Sequence, residues 1–96
     1  MSFIQIVEVR TKRYDELKAL GEEFEASIAD KTTVRRTIIT RDRNDPERVL
    51  IMVFFDSYES AMENSNLPET AAFGEKQMPL LEGPPVFHDL DVVEDQ

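Results

Sequence analysis

The chain has 96 residues, of which 41% are hydrophobic and 32% charged, and this length and balance suit one globular domain spanning residues 1–96. It contains no Cys and a single His, which excludes disulfides, thiolate metal sites and His-rich metal cages. We therefore expect no bound metal. The net charge is −9 and no apolar run approaches the roughly 18–20 residues of a membrane span, so neither nucleic acid nor a membrane is an expected partner.

The acidity is concentrated in the second half of the chain. Residues 1–48 hold ten Lys or Arg against ten Asp or Glu, whereas residues 49–96 hold one Lys against ten acidic residues. The N-terminal segment shows neither a basic region nor a small-residue cleavage site, so we predict no secretory signal and expect a cytoplasmic location.

The first half of the chain predicts a strand, a helix and a second strand. Residues 3–10 are rich in β-branched and aromatic types, which is typical of a strand. Apolar residues then recur at every third or fourth position, which predicts an amphipathic helix over about 13–30. Residues 33–43 return to a strand-like composition, and Asn44-Asp45-Pro46 predicts a turn.

The second half begins with the most apolar segment of the chain. Residues 49–55 read Val-Leu-Ile-Met-Val-Phe-Phe, which predicts a third strand that forms a hairpin with the second. Asp56 and Glu59 then have the spacing of an N-cap and its N3 partner. A helix is therefore predicted to begin at Ser57.

That helix is predicted to be broken in two. It is interrupted near Asn64, and Asn66 followed by Pro68 indicates a second helical segment that runs to about Met78. A Gly-Pro-Pro turn follows, and residues 86–93 read as a last strand.

The resulting order, β-α-β-β-α-β, predicts an α+β ferredoxin-like fold. In this arrangement the first and third strands lie in the centre of an antiparallel sheet, and the helices cover one face. The two strands placed centrally, residues 3–9 and 49–55, are also the most continuously apolar. Topology and composition therefore agree.

The third strand also predicts a homodimer. A sheet with helices on one side should alternate apolar and polar residues, because its other face would be wet. Residues 49–55 are apolar on both faces, and an exposed patch of that size is rare on a soluble monomer. A further layer of structure would also cover the face, but a chain of 96 residues has no segment left to build one. We therefore expect two copies to pack face to face.

Three segments resemble the dimeric α+β barrel proteins, including domains of the antibiotic-biosynthesis-monooxygenase type. They are the opening strand 3–9, the segment Phe-Phe-Asp-Ser-Tyr-Glu-Ser-Ala-Met at 54–62, and the closing strand 89–93. The resemblance implies a site between sheet and helices or inside the barrel formed by two protomers. It implies activities that range from cofactor-independent oxygenation to haem degradation. Haem-degrading members carry an Asn, Trp and His combination, and this chain has no Trp. We therefore expect no cofactor.

Two residues are candidates for proton transfer. His88 is the only His, and its ordinary pKa near neutrality suits a proton donor or acceptor. Glu8 shares the strand face of Ile4 and Ile6, where burial would raise the pKa of its carboxyl and suit it as a base. The alternatives are that His88 is a structural residue of an edge strand and that Glu8 pairs with an arginine.

Three polar residues at the predicted helix break are candidates for substrate contact. They are Tyr58, Asn64 and Asn66, which offer both donors and acceptors. The alternatives are structural, since Asn66 would serve as a helix cap and Tyr58 would pack in the core with its hydroxyl at the surface.

The remaining candidates are an apolar wall and an arginine. Phe3, Met52 and Phe54 would line the site, and Arg36 on the second strand would hold an anionic group. The second strand also carries Arg41, and such edge arginines equally protect against aggregation or pair across subunits with Asp89.

These features lead to one functional hypothesis and one alternative. The first is a homodimeric α+β barrel protein of unassigned activity which, if it is an enzyme, is monooxygenase-like and acts on a small apolar or aromatic molecule without metal or nucleotide. The alternative is a non-catalytic module for small-ligand binding or protein assembly.

Overall fold

A computed structural model describes residues 2–96, and Met1, which belongs to the predicted N-terminal segment and domain, lies outside the described residues. The elements, in chain order, are β1 (Phe3–Arg10), α1 (Tyr14–Ser27), β2 (Arg36–Asp42), β3 (Asp45–Phe55), α2 (Tyr58–Ser65), α3 (Pro68–Gln77), a 3₁₀ turn (Met78–Leu80) and β4 (Val86–Asp91). This is the predicted β-α-β-β-α-β order, with the second helix divided into α2 and α3.

The strands form one antiparallel sheet in the order β2-β3-β1-β4. The prediction that the first and third strands are central is therefore confirmed. β1 and β3 pair along their whole common length, from Phe3 opposite Phe55 to Arg10 opposite Arg48. Each of these strands is flanked by a strand at both edges and carries the core on one face.

The helices cover one face of the sheet, where alternate residues of β1 and β3 form the core. One cluster centres on Val9 and Val49 and packs against Leu17 of α1. A second cluster joins Phe3 and Phe55 with one residue of α2. We call this side of the sheet the helix face.

The other side of the sheet, which we call the open face, has no element of this chain packed on it among residues 2–96. The strand register places its side chains in rows that cross the sheet from β2 to β4. One row is Arg36, Phe54, Ile4 and Leu90; the next is Ile38, Met52, Ile6 and His88; the third is Thr40, Leu50, Glu8 and Val86. The open face is therefore mostly apolar, with Arg36, Thr40 and His88 as polar residues on its edge strands and Glu8 on the central strand β1.

The β2–β3 turn differs from the prediction. It consists of Arg43 and Asn44, and β3 begins at Asp45 instead of following a turn over 44–46. Pro46 is tolerated inside this strand because it lies beyond the last β1 pairing, Arg10 with Arg48, so no residue of β1 requires its missing N–H. The hairpin itself was predicted correctly.

The predicted caps of the second helix were wrong. Ser57, not Asp56, is the N-cap of α2, because its hydroxyl accepts a hydrogen bond from the backbone N–H of Ser60 at 3.1 Å. The carboxylate of Asp56 instead accepts from the Arg35 guanidinium at 2.6 and 2.9 Å. Asn66 ends α2 rather than starting α3, whose N-cap is Leu67.

Other boundaries moved by a few residues. α1 ends at Ser27, because the chain turns at Ile28, whose carbonyl accepts from the N–H groups of Lys31 and Thr32. β4 ends at Asp91, two residues before the predicted end. Within residues 2–96, no helix combines the length and apolarity needed to cross a membrane.

Candidate functional site

His88 and Glu8 come together on the open face of the sheet. His88 lies on the edge strand β4 and pairs directly with Ile6 of the central strand β1, and Glu8 lies two residues further along β1, on the same face. Nε2 of His88 lies 3.2 Å from Oε1 of Glu8. The two side chains that the sequence singled out for proton transfer are thus in hydrogen-bond contact, although they are 80 positions apart in the chain.

Arg48 and Asp42 extend this contact into a network across all four strands. Nε of Arg48 donates to Oε2 of Glu8 at 2.9 Å, and its Nη1 donates to the Asp42 carboxylate at 3.0 Å. Asp42 also accepts from the backbone N–H of Asn44 at 2.8 Å. We call the chain Asp42–Arg48–Glu8–His88 the open-face network.

The electrostatics of the network determine what Glu8 can do. The hydrogen bond from Arg48, followed by the one from His88, lowers the pKa of the Glu8 carboxyl below its ordinary value. The expectation that burial would raise this pKa was therefore wrong, since the side chain remains 25% exposed and has two cationic or donor partners. The carboxylate of Glu8 is thus placed to accept a hydrogen bond from the imidazole of His88.

His88 keeps access to solvent. Its side chain is 45% exposed, and with Nε2 turned to Glu8 the Nδ1 atom is left for another partner. Its immediate neighbours on the open face are Ile6, directly opposite on β1, and then Met52 on β3. The imidazole therefore borders an apolar surface.

Met52, Phe54 and Arg36 lie on the same face as His88. Phe54 is next to Met52 along this face of β3, and the Arg36 guanidinium lies over the Phe54 ring, 5.8 Å from its centroid. Arg36 is exposed and lies at the opposite edge of the sheet from His88. The structure thus places five of the nine residues that the sequence singled out on one face of the sheet, with Arg36 and His88 on opposite edge strands.

Phe3 and Tyr58 lie on the helix face, on the other side of the sheet from this group. Phe3 is 2% exposed and packs against Phe55 and against the edge of the Tyr58 ring, with centroids 5.5 Å apart. The placement of Phe3 in one wall with Met52 and Phe54 was therefore wrong. Phe3 belongs to the core, and Tyr58 is half exposed above it.

Asn64 and Asn66 have structural partners. The buried Asn64 side-chain carbonyl accepts from the Thr32 hydroxyl at 3.1 Å and from the Thr33 N–H at 3.3 Å. Asn66 is exposed and holds the end of α2 through its backbone N–H, which donates to the Met62 carbonyl. Neither residue lies with His88.

Two shallow grooves of about 150 and 190 Å³ open on the helix face. The first runs between α1 and α3 along the stacked rings of Phe24 and Phe73, and the second lies between Tyr14 and Arg41. None of the residues singled out from the sequence as site residues lines either groove. Within residues 2–96, no three His, Asp or Glu side chains converge as a metal ion would require.

Arg48 and Asp42 are the members of the network that sequence reasoning missed. The available signal was the two-residue repeat of a strand. Arg48, Leu50 and Met52 are every second residue of β3, so their side chains point to the same face. This repeat could not identify the partner of Glu8, because it placed several arginines on the same face as Glu8.

No protein-family model matches the chain, and no curated protein sequence matches it either. Solved structures do match it over nearly its whole length. A candidate antibiotic biosynthesis monooxygenase from Caulobacter crescentus CB15 is 17% identical, covers 97% of this chain and 91% of its own, and has a TM-score of 0.83. One from Chloroflexus aurantiacus J-10-fl is 21% identical, covers 100% and 97%, and has a TM-score of 0.76.

A third structure is SnoaB, described as a cofactor-independent oxygenase from Streptomyces nogalater. It is 8% identical, covers 98% of this chain and 95% of its own, and has a TM-score of 0.83. At these identities the likeness concerns the fold. The sheet order and the matched structures together show that the chain has the ferredoxin-like α+β fold of the antibiotic biosynthesis monooxygenase proteins.

Proposed function

We propose that the chain, as a single domain, forms a homodimer through the open faces of its sheets and acts there on a small apolar or aromatic molecule that carries an ionisable hydroxyl. The observation that supports this most strongly is the His88–Glu8 pair at the margin of an apolar sheet face. A contiguous apolar face without a covering element is rare on a soluble monomer, so a second sheet is its expected cover.

The open-face network is compatible with burial under a partner. Glu8, Arg48 and Asp42 satisfy one another by hydrogen bonds within the protomer. A charged group can enter an interface at tolerable cost only when it is paired and hydrogen-bonded. With His88 protonated, the network of two acids and two bases carries no net charge.

The proposed chemistry follows from the state of Glu8. Because Arg48 keeps Glu8 ionised, Glu8 would accept from His88 and stabilise the protonated imidazole, while Nδ1 takes a proton from a phenolic substrate. The structural neighbour described as a cofactor-independent oxygenase supports a reaction of the resulting anion with dioxygen. One oxygen atom becomes the new carbonyl oxygen of a quinone, and the other leaves as water with the ring hydrogen and the hydroxyl proton that His88 returns. We propose no metal and no cofactor, since the electrons would come from the substrate itself.

The homodimer is tested by sedimentation velocity on wild type and on Met52→Glu. Met52 lies on the open face, so a carboxylate there should abolish self-association while leaving the helix-face core intact. Ala71→Glu on the exposed side of α3 is the matched control and should leave the dimer unchanged. A wild-type protein that sediments as a monomer at 100 µM, a concentration on the order of those where weak dimers form, would refute the homodimer.

The chemistry is tested with a panel of naphthols and polycyclic phenols. We expect binding by NMR line-broadening, and dioxygen consumption that falls on the order of 10²-fold in His88→Gln, the usual size of a general-base contribution. Binding should persist in that variant. Unaltered turnover in His88→Gln would refute the proposal that His88 takes the proton from the substrate.

The alternative function is a non-catalytic ligand-binding or assembly module. The observation that favours it is that both carboxylate oxygens of Glu8 are already occupied, and that the two grooves lie away from His88. A stable dimer that binds none of the panel would support this alternative.

A further inference from the structure

The three helices α1, α2 and α3, which we call the helix layer, carry most of the negative charge of the chain. They hold nine Asp or Glu and two Lys, a net charge of −7 out of the −9 of the whole chain. Eight of the nine acidic residues are exposed. The outer surface of the helix layer is therefore strongly acidic, whereas the four strands together carry little net charge.

An apolar groove of about 150 Å³ lies in this layer, between α1 and α3. Each helix lines it with residues at positions i, i+3, i+4 and i+7, which share one side of a helix. They are Leu20, Glu23, Phe24 and Ser27 of α1 and Glu69, Ala72, Phe73 and Lys76 of α3. The half-buried rings of Phe24 and Phe73 stack with their centroids 4.8 Å apart. We call this feature the α1–α3 groove.

The lysines beside the groove are already paired, whereas several acidic residues around it are not. Lys76 pairs with Glu23 across the groove at 3.7 Å, and Lys31 pairs with Glu69. An anionic partner would therefore have to break one of these pairs. Within residues 2–96, five acidic residues of the helix layer take part in no ion pair: Asp15, Glu25, Glu59, Glu63 and Glu75. These carboxylates are available to a cationic partner.

The charge of the helix layer decides what can cover the groove. A second copy of the chain would bring another helix layer of net charge −7 against the first. Nucleic acids and anionic lipid surfaces carry the same sign of charge, and like charges brought together disfavour contact. An apolar groove in an acidic surface is instead complementary to a segment that is apolar on one side and cationic around it.

We propose that the α1–α3 groove docks a basic amphipathic helix of another protein. One or two large apolar side chains of that helix would enter the groove beside Phe24 and Phe73, and its Lys and Arg side chains would meet the surrounding carboxylates. Because the groove belongs to the helix layer, this inference does not depend on the open face, on the homodimer or on His88.

The size and shape of the groove favour an anchoring side chain over a free small molecule. Pockets for small molecules commonly measure about 300–1,000 Å³ and enclose most of their ligand. This groove is smaller, at about 150 Å³, and shallow. It matches the binding of an amphipathic helix in a groove, in which a few apolar anchors supply the contact and the charges around them select the partner.

Synthetic peptides of about 15 residues, long enough for a helix, test the chemistry of the partner. The first contains only Leu and Lys, with Leu at positions i, i+3, i+4 and i+7, so that one side of its helix is apolar. The second has the same composition in an order that spreads Leu around the helix. In fluorescence anisotropy with the full chain, the first peptide should bind at least about tenfold more tightly, because burial of a single Leu anchor corresponds to at least that factor. A third peptide, with Glu in place of Lys, should not bind at about 1 mM.

Two adjacent positions of α3 test the place of binding. Ala72 lines the groove and Ala71 does not, and both are exposed, so a substitution at either should leave the core intact. Ala72→Lys puts a cation into the groove and should weaken binding of the first peptide at least about tenfold. Ala71→Lys makes the same change in net charge and should weaken it less than about threefold.

Amide NMR signals of the wild-type chain map the site directly, so the test does not depend on the folding of Ala72→Lys. The first peptide should shift the signals of residues 20–27 and 69–76 and leave those of the strands in place. Shifts confined to the strands would overturn the inference, and so would a first peptide that does not bind at about 1 mM. Equal affinity of the two Leu–Lys peptides, equal effects of the two alanine substitutions, or binding of the Glu peptide would equally overturn it.

Discussion

Glu8 and His88 are diagonal neighbours on the adjacent strands β1 and β4, and Oε1 of the carboxylate is 3.2 Å from Nε2 of the imidazole. The same carboxylate accepts from Arg48 through its other oxygen. The Glu8 carboxylate therefore contacts the Arg48 guanidinium on one side and the His88 imidazole on the other. Any role of His88 depends on this carboxylate, because the carboxylate sets both the orientation of the ring and the charge beside it.

The first prediction concerns the titration of Glu8. The pKa of its carboxyl is lowered first by Arg48 and then by His88. A ¹³C-carboxyl NMR titration should place the midpoint below the ordinary value of 4.5. Arg48→Met should raise the midpoint more than His88→Ala does. An unchanged Glu8 midpoint in Arg48→Met would contradict the network.

The same shift predicts the sign of a pH dependence. Because the pKa of Glu8 is lower in the folded state than in the unfolded state, the network stabilises the fold above the unfolded-state value. That contribution is lost as the pH falls through the lowered pKa. Urea unfolding should show a flatter acid decline for Glu8→Gln than for wild type. Glu25→Gln, on the exposed side of α1, is the control and should follow the wild-type curve.

The second prediction separates a core role from a ligand-binding role for Phe3. Phe3→Ala should lower the free energy of unfolding by about 3–5 kcal/mol, the usual cost of truncating a buried Phe. Met78→Ala, at a residue that is 49% exposed, should stay within about 0.5 kcal/mol. If Phe3→Ala leaves the urea midpoint unchanged, the side chain is not part of the core.

The third prediction distinguishes the two asparagines near the helix break. Asn64→Ala removes the acceptor of the Thr32 hydroxyl and the Thr33 N–H and should cost about 1–3 kcal/mol. Asn66→Ala should cost no more than about 0.5 kcal/mol, because Asn66 contributes through its backbone. Equal losses in urea unfolding would refute this assignment.

The fourth prediction tests the corrected cap of α2. Ser57→Ala removes the hydroxyl that accepts from Ser60 N–H, which is one half of a reciprocal pair; the backbone N–H of residue 57 can still donate to the Ser60 hydroxyl. It should cost about 0.5–2 kcal/mol. Asp56→Ala, which removes only an exposed ion pair with Arg35, should change the urea midpoint less. If Asp56→Ala lowers the urea midpoint more than Ser57→Ala does, Asp56 is the cap and this assignment is wrong.

The cap was misassigned for a local reason. Asp56 and Glu59 have the spacing of a capping box, and Ser57 and Ser60 have the same spacing one residue later. The spacing of these residues does not decide whether Asp56 or Ser57 is the N-cap. Arg35 does, because it occupies the Asp56 carboxylate and leaves Ser57 to satisfy the helix.

The order of the elements, the central position of β1 and β3, and the unpartnered apolar face follow from the sequence by itself. Periodicity is a local property, and a strand that is apolar on both faces, such as residues 49–55, must lie inside a sheet wherever the rest of the chain goes.

Only the tertiary structure decided which of the candidate residues share a face. Odd and even positions of β1 point to opposite faces, so Phe3 and Glu8 lie on different sides of the sheet. The sequence does not say which of these two sides the helices cover. The strand register then joined Glu8 to Arg48, 40 positions away, rather than to another arginine. Such pairings depend on register, and a slip of one residue would turn every side chain of a strand to the other face.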